Sequence, residues 1–144
     1  MAKRKKKPLI VRLALELDGL VKTRIYERDL KEFGDKCSLC GNPTKKRQWS
    51  HLISGRKHSV RWNPINIFSQ CRGCNIRHEH YPEYYTAWWI RRYGEANYQD
   101  LVRLSQSGIK WRSMDLRLMI EARKIDAHLE SATGVTPSLT REFK

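Results

Sequence analysis

Two short motifs, Cys37-Ser-Leu-Cys40-Gly41 and Cys71-Arg-Gly-Cys74-Asn75, bracket the stretch that decides the fold. Together they contain all four cysteines of the 144-residue chain. Two C-x-x-C pairs supply four thiolates in tetrahedral array, the usual ligand set of a structural Zn²⁺ site. Free or redox-active thiols are the alternative, but the paired spacing favours a metal. The sequence therefore predicts one zinc ion bound by Cys37, Cys40, Cys71 and Cys74.

Positive charge is concentrated on the same stretch. The chain has a formal net charge of +14, and residues 37–80 contain eight Lys or Arg residues but one acidic residue, Glu79. A polyanion is the partner expected at such a surface, with DNA the first choice and an anionic membrane the second. No apolar run approaches the roughly eighteen residues that a membrane span needs, so we expect no membrane partner.

The N-terminal run Lys3–Lys7 is a second basic segment. We interpret residues 1–8 as a disordered arm in which Lys3, Arg4 and Lys5 follow DNA phosphates, or alternatively as a solvated tail. No secretory signal is expected, because Arg12 and Glu16 interrupt the apolar residues that follow. The cysteines are therefore expected in a reducing cytoplasm, where C-x-x-C pairs favour metal over disulfide.

Periodicity and turn signals predict an α+β fold. Apolar residues at helical spacing predict a first helix that ends at Gly34. Its opposite face carries Lys22, Arg24 and Arg28, which form either a solvated face or a second DNA contact. Strands are predicted at Arg47–Ile53 and roughly Ser59–Trp62, joined through Ser54-Gly55. Ile65–Ser69 is predicted as a last short extended piece, and a helix is expected to open near Arg72. A zinc knuckle, a hairpin and a helix in this order are typical of a treble clef. The predicted organisation is an N-terminal helix at 9–34, a zinc-bound core at 35–81, C-terminal helices packing on the core at 82–130, and a flexible tail at 131–144.

The helix after Pro82 is rich in aromatic residues. Core packing is the role expected for them, and base stacking is the alternative. A last helix, capped by Ser113, is predicted to run to about Glu130.

Three polar residues between and beside the cysteine pairs suggest hydrolytic chemistry. Phosphodiester hydrolysis needs a base for the attacking water, and His51 is the candidate because histidine titrates near neutrality. Asn66 is suited to orient His51, and Asn75 to contact a divalent cation near the phosphate. The alternatives are a phosphate contact for His51 and turn or capping roles for the asparagines.

His51, Asn66 and Asn75, at spacings of fifteen and nine, resemble the HNH (ββα-metal) endonucleases that carry two zinc-binding C-x-x-C pairs. Further motifs between Leu15 and Leu104 are similar to the NinG (Rap) recombination proteins of lambdoid phages. The resemblance implies cleavage of branched recombination intermediates, such as Holliday junctions or D-loops, with Mg²⁺ or Mn²⁺ in a bacterial host. The motifs that carry it are Cys-x-x-Cys-Gly, Ser50-His51-Leu52, Arg61-Trp62, Asn66, Gln70–Asn75 and Arg92-Tyr93-Gly94.

One position departs from the HNH pattern. Many HNH enzymes have an Asp or His metal ligand directly before the catalytic histidine, whereas this chain has Ser50. Asn75, His78 and Glu79 fall on one helical face, so Glu79, and after it His78, are the candidate substitutes.

These observations predict a zinc-stabilised, metal-dependent DNA endonuclease. The alternative is a non-catalytic zinc-stabilised nucleic-acid-binding module. A homodimer is expected, because resolving a two-fold-symmetric junction needs two opposed cuts, with contacts before Gly34 or after Gly94. Five basic side chains are predicted to contact phosphates, or alternatively to form a solvated face: Arg56, Lys57, Arg61, Arg72 and Arg77.

Overall fold

The structure, a computed structural model, describes residues 6–134 of the chain. Lys3, Arg4 and Lys5 of the predicted basic arm, and most of the predicted tail, lie outside this range. The described part is mixed α and β, mostly helical with a two-stranded sheet, which agrees with the expected α+β class. Its helices and strands are α1 Leu9–Phe33, β1 Gln48–His51, β2 Ile67–Gln70, α2 Arg72–His80, α3 Pro82–Tyr93, α4 Glu95–Ser105 and α5 Ser113–Thr133.

The chain divides into two compact units. The larger contains residues 22–110, which include the second half of α1, both strands and helices α2 to α4. The smaller contains the residues up to Val21 and those from Trp111 onward. The domain boundaries predicted near residues 34 and 81 therefore fall inside the larger unit.

The smaller unit is built from the first half of α1 and from α5. An ion pair of 3.0 Å between Lys124 Nζ and Glu16 Oε1 links the two helices. Ser113, predicted to cap helix α5, is its first residue, and the capping residue is Arg112; the helix runs to Thr133 rather than to about Glu130. None of the helices within residues 6–134 combines the length and apolarity needed to cross a membrane. The buried apolar residues of this unit are Leu13, Leu17, Val21, Leu116 and Ile120.

The sheet of the larger unit is an antiparallel pair. Gln48 pairs with Gln70 and His51 with Ile67, and every residue of β2 is buried. Because side chains alternate along a strand, Ser50 lies on the same face of β1 as Gln48, and His51 lies on the opposite face. Helix α2 packs against β1.

The prediction of a second strand at Ser59–Trp62 was wrong. This segment contains a short 3-10 turn, His58–Val60, and β1 pairs instead with Ile67–Gln70. Val60 and Trp62 are buried in the core although the segment that contains them forms no strand. Alternating apolar residues in a tightly packed loop produce the same pattern as a half-buried strand.

Helices α3 and α4 cover the hairpin and close the core of the larger unit. Tyr85 and Trp89 of α3 are fully buried, which agrees with the core role expected for the aromatic residues of this helix. Trp89 Nε1 donates to the carbonyl oxygen of Ile65 at 2.7 Å, so α3 is also held by a polar contact. Tyr84 of the same helix is exposed. The buried core cluster contains Leu52, Val60, Phe68, Tyr85, Trp89 and Leu101.

Candidate functional site

The four cysteines come together at one point. Their Sγ atoms all lie within 4.8 Å of one another, and those of Cys40 and Cys71 are 3.9 Å apart. Four sulfurs bound tetrahedrally to Zn²⁺ at about 2.3 Å lie roughly 3.8 Å from one another. The cluster therefore fits a closed structural zinc site, as the C-x-x-C spacing predicted.

A tight turn and a helix N-terminus supply these ligands. Gly41 has a φ of 72°, which lets its amide donate to the Cys37 carbonyl at 3.0 Å and closes the knuckle. Cys71 is the N-cap of α2, and its Sγ accepts the amide of Cys74 at 3.4 Å. The Cys71 amide in turn donates to Cys37 Sγ at 3.3 Å. Amide donors of this kind favour thiolate over thiol.

The thiols of the cluster differ in pKa. Burial raises the pKa of Cys74 far above its ordinary value, and the neighbouring Cys40 and Cys37 sulfurs raise it further. Burial also acts to raise the pKa of Cys37, but backbone N–H groups outweigh it, and the pKa is lowered. Four ionised thiolates at this separation need a cation to offset their mutual repulsion, and Zn²⁺ supplies that charge.

His51 lies at the end of β1 with its ring orientation fixed. Its Nε2 atom lies 2.8 Å from the carbonyl oxygen of Arg61. Since a carbonyl oxygen only accepts, Nε2 carries the proton, and Nδ1 of the neutral ring carries the lone pair. Trp49 stacks on the ring, with centroids 5.1 Å apart. The imidazole therefore has the tautomer in which Nδ1 is the basic nitrogen.

Gly55 packs directly against this ring. A Cβ atom at position 55 would lie 2.9 Å from Nε2 and 3.0 Å from Cε1 of His51. Any other residue at Gly55 would therefore require the imidazole to move.

Asn66 bonds the backbone of the loop that follows β1. Its fully buried amide donates to the carbonyl oxygens of Ile53 at 2.8 Å and Val60 at 3.0 Å, and its Oδ1 accepts the Ile53 amide at 2.8 Å. These bonds fix the loop that contains Gly55 and leads to Arg61. Asn66 thus positions the groups that hold His51, and the direct orienting bond comes from the Arg61 carbonyl.

Helix α2 is tied to the strand that carries His51. Asn75 Nδ2 donates to Gln48 Oε1 at 3.1 Å. This bond fixes the orientation of the Asn75 amide and therefore of its side-chain oxygen. His78 Nε2 donates to the carbonyl oxygen of His51 at 3.0 Å. Glu79, predicted to share their helical face, is exposed.

Two polar atoms that could ligate a cation, one on β1 and one on α2, lack a hydrogen-bond partner within the described residues. They are Ser50 Oγ and His78 Nδ1, and both are buried. The hydroxyl of Tyr85 donates to the Ser50 carbonyl at 3.3 Å, and its ring lies 4.8 Å from that of His78. Burial raises the pKa of Tyr85 well above its ordinary value, so this hydroxyl stays protonated as a donor. The unpartnered oxygen on β1 and the unpartnered nitrogen on α2 are potential ligands for a cation.

An ion pair from α1 fixes the second strand. Asp29 is fully buried, and its Oδ2 accepts the amide of Ser69 at 2.6 Å and its hydroxyl at 2.8 Å. Arg28 bonds the Asp29 carboxylate and donates to the carbonyl oxygens of Pro64 and Ile67, each at 2.8 Å. Arg28 was expected on a solvated or DNA-contacting face. The Arg28 side chain lies instead against the sheet, because the Asp29 carboxylate and the two carbonyl oxygens that accept from it are on that side.

The basic side chains predicted to contact phosphates lie at the surface to different degrees. Arg56, Lys57, Arg72 and Arg77 are exposed, which suits contact with a polyanion. Arg61 is partly buried, and its guanidinium lies 5.2 Å from the ring centroid of Trp62.

Sequence reasoning missed the residues that act through others. Gly55 had been interpreted only as a turn residue, and the roles of Gln48, Tyr85 and Asp29 depend on contacts across the fold. The Ser-Gly turn directly after the strand carrying His51 was the one available signal for Gly55.

A family model described as bacteriophage lambda NinG protein matches residues 3–131. The match includes all four clustered cysteines, His51, Asn66 and Asn75. No curated protein and no solved structure gave a significant match. Since the family model covers most of the sequence, the chain belongs to the bacteriophage lambda NinG protein family, which is associated with phage recombination.

Proposed function

We propose that this protein is a metal-dependent DNA endonuclease of the HNH type that acts on branched recombination intermediates. The observation that carries the proposal is the fixed tautomer of His51, whose Nε2 donates to the Arg61 carbonyl. A general base needs an oriented lone pair, and a histidine held in this way provides one. The knuckle, hairpin and cysteine-bearing helix support a treble-clef assignment for the zinc-bound core.

In the proposed reaction, Nδ1 of His51 accepts a proton from the water that attacks the phosphodiester. The Arg61 carbonyl continues to accept from Nε2 and so stabilises the imidazolium that results. Asn66 and Gly55 keep the ring in place through the loop they define.

The residues around Asn75 fit a hard divalent cation. Asn75 donates through Nδ2 to Gln48, so its oxygen remains an acceptor suited to Mg²⁺ or Mn²⁺. Ser50 Oγ and His78 Nδ1 are buried polar atoms without a hydrogen-bond partner in residues 6–134, and Glu79 is exposed on the same helix as His78. When bound, the ion would stabilise charge on the phosphorane and on the departing 3′ oxygen.

The alternative, a zinc-stabilised DNA-binding module without catalysis, is favoured by one observation. In the described residues, the cysteine cluster is the only group of three or more His, Cys, Asp or Glu side chains close enough to hold a metal. A catalytic cation would therefore depend on neutral ligands such as Asn75 and Ser50.

Two assays separate these functions. Supercoiled plasmid incubated with the protein should be nicked only with Mg²⁺ or Mn²⁺ present. Synthetic four-way junctions should be cut faster than matched linear duplexes. Binding without cleavage of any substrate, in either metal, would instead establish the binding module.

The homodimer and the basic arm also remain proposals. Helix α5, which lies after Gly94, exposes the apolar side chains of Met114, Leu118, Ile125 and Leu129, and this stripe is a candidate contact surface. As a phage protein, the chain acts in a host cell, and we propose the cytoplasm as its compartment.

A further inference from the structure

Two tyrosine rings are exposed where α2 meets α3. Tyr81 is 57% exposed and Tyr84 is 58% exposed, although both belong to the larger, well-packed unit. Tyr85, the next residue, is fully buried. The core therefore does not use Tyr81 and Tyr84, and their rings are available to a ligand.

Two cationic side chains, those of Arg77 and Arg91, lie on the helices that carry or adjoin Tyr84. The guanidinium carbon of Arg77 is 5.6 Å from the Tyr84 ring centroid. Arg91 follows Tyr84 by seven residues, which places it on the same face of α3, about 10 Å along the helix axis. Both arginines are exposed. An exposed aromatic ring with cations near it offers stacking to a base and ion pairs to the neighbouring phosphates.

We propose that Tyr81 and Tyr84 form a stacking platform for unpaired bases of single-stranded DNA. A base face is uncharged and stacks on tyrosine without regard to sequence. Duplex DNA keeps its bases stacked internally and offers no such face.

The platform lies close to the proposed chemistry. Tyr81 is the C-cap of α2, the helix that carries Asn75, and six residues of helix correspond to about 9 Å. The platform rests on the proposed function for its link to cleavage: it would hold bases that are unpaired at a branch point near His51. Binding to single strands can be measured without any cleavage.

The test uses a fluorescent dT oligonucleotide of about sixteen nucleotides, long enough for one site. Fluorescence anisotropy at fixed salt, without divalent metal, measures its Kd for the full-length protein. We expect Tyr81→Ala/Tyr84→Ala to raise this Kd by about ten- to a hundredfold. Tyr81→Phe/Tyr84→Phe keeps both rings and should bind within about twofold of wild type.

Leu30→Ala provides a matched control, because Leu30 is equally exposed, at 59%, in the same unit. It should leave dT binding unchanged. Binding of a linear duplex should change less than about twofold in every variant, because phosphate contacts dominate it. Failure of wild type to bind dT, an unaffected double alanine variant, or equal losses on dT and duplex would each overturn the platform. Ring-dependent dT binding by a protein that cuts no DNA would support the platform and reject the endonuclease.

Discussion

The Nε2 atom of His51 donates a hydrogen bond of 2.8 Å to the backbone carbonyl oxygen of Arg61. A backbone acceptor cannot be removed by a side-chain substitution, so the tautomer of His51 depends on the path of the loop. Changes to the ring itself and changes to the loop should therefore affect cleavage in distinguishable ways.

Replacing His51 removes the proposed proton acceptor and leaves the zinc ligands and basic surface in place. We expect His51→Ala to reduce junction cleavage by about 10²–10⁴-fold, with junction binding close to wild type. A gel shift and a cleavage time course on the same preparation measure both. His128→Ala, in the smaller unit, is the matched control and should cut normally. Undiminished cleavage by His51→Ala would contradict the mechanism.

Gly55→Ala should impair cleavage although the proposed catalytic side chains His51, Asn66 and Asn75 all remain. The added methyl group would lie 2.9 Å from His51 Nε2, so the ring must rotate away from Arg61 or from its productive position. We expect at least about a tenfold loss of kcat, since small misplacement of a reacting group is costly. Gly19→Ala is the control, because nothing lies within 4 Å of a Cβ there. Equal kcat in both variants would show that the ring position does not limit the reaction.

Asn75→Ala should cut poorly because metal affinity falls, so raised Mn²⁺ should restore part of the activity. The same addition should not rescue His51→Ala, in which the base is missing. Gln48→Ala removes only the acceptor that orients Asn75 Nδ2, so a smaller loss with fuller Mn²⁺ rescue is expected. Metal titrations of the cleavage rate for the three variants test this order. An Asn75→Ala variant with an unchanged Mn²⁺ midpoint would remove Asn75 from the ligand set.

Cys40→Ser or Cys74→Ser should release zinc and unfold the knuckle and its neighbours, since metal binding and folding are coupled. Metal analysis of protein purified without added zinc should find one Zn²⁺ per chain in wild type. Zinc binding should also weaken as pH falls, because the pKa of the Cys74 thiol is raised by burial and each proton must leave before the sulfur binds. The Ser38→Ala variant, changed between the ligands Cys37 and Cys40, should keep its zinc. A folded, zinc-free wild-type protein would contradict the site.

Asp29→Asn should destabilise the larger unit through β2. The substitution leaves Arg28 without its buried counter-charge and weakens the acceptor for Ser69, at a cost of about 3–5 kcal/mol. Urea unfolding monitored by tryptophan fluorescence measures the free energy of unfolding. Glu27→Gln, exposed on the same helix, should change it by less than about 0.5 kcal/mol. Similar losses in both variants would show that the effect is not specific to the buried pair.

Local signals in the sequence were sufficient for the zinc cluster and for most helix positions. The C-x-x-C pairs define a ligand set by spacing alone. Gly34 marks a helix end because glycine frees the backbone, and Pro82 marks a helix start because proline restricts it. The core role of Tyr85 and Trp89 followed from their position in an aromatic helix.

Long-range pairing could not be obtained in the same way. The segment Ser59–Trp62 has a strand-like pattern, and only the hydrogen bonds of Asn66 to Ile53 and Val60 show that it belongs to a loop. In the sequence, Arg28 resembles a surface residue. The carbonyl oxygens that accept from it belong to residues far along the chain, which local patterns do not reveal. Such choices are made by tertiary contacts, which override local preference.

The bond between Asp29 and Ser69 also determines how much of the chain is needed for an autonomous fragment. A fragment that starts at Cys37 would contain every zinc ligand together with His51, Asn66 and Asn75. It would lack the carboxylate that receives the Ser69 amide and hydroxyl, and a strand that is otherwise fully buried would lose its polar anchor. The shortest independently folding piece must therefore begin upstream of Arg28, inside a continuous helix, where no loop marks a place to cut.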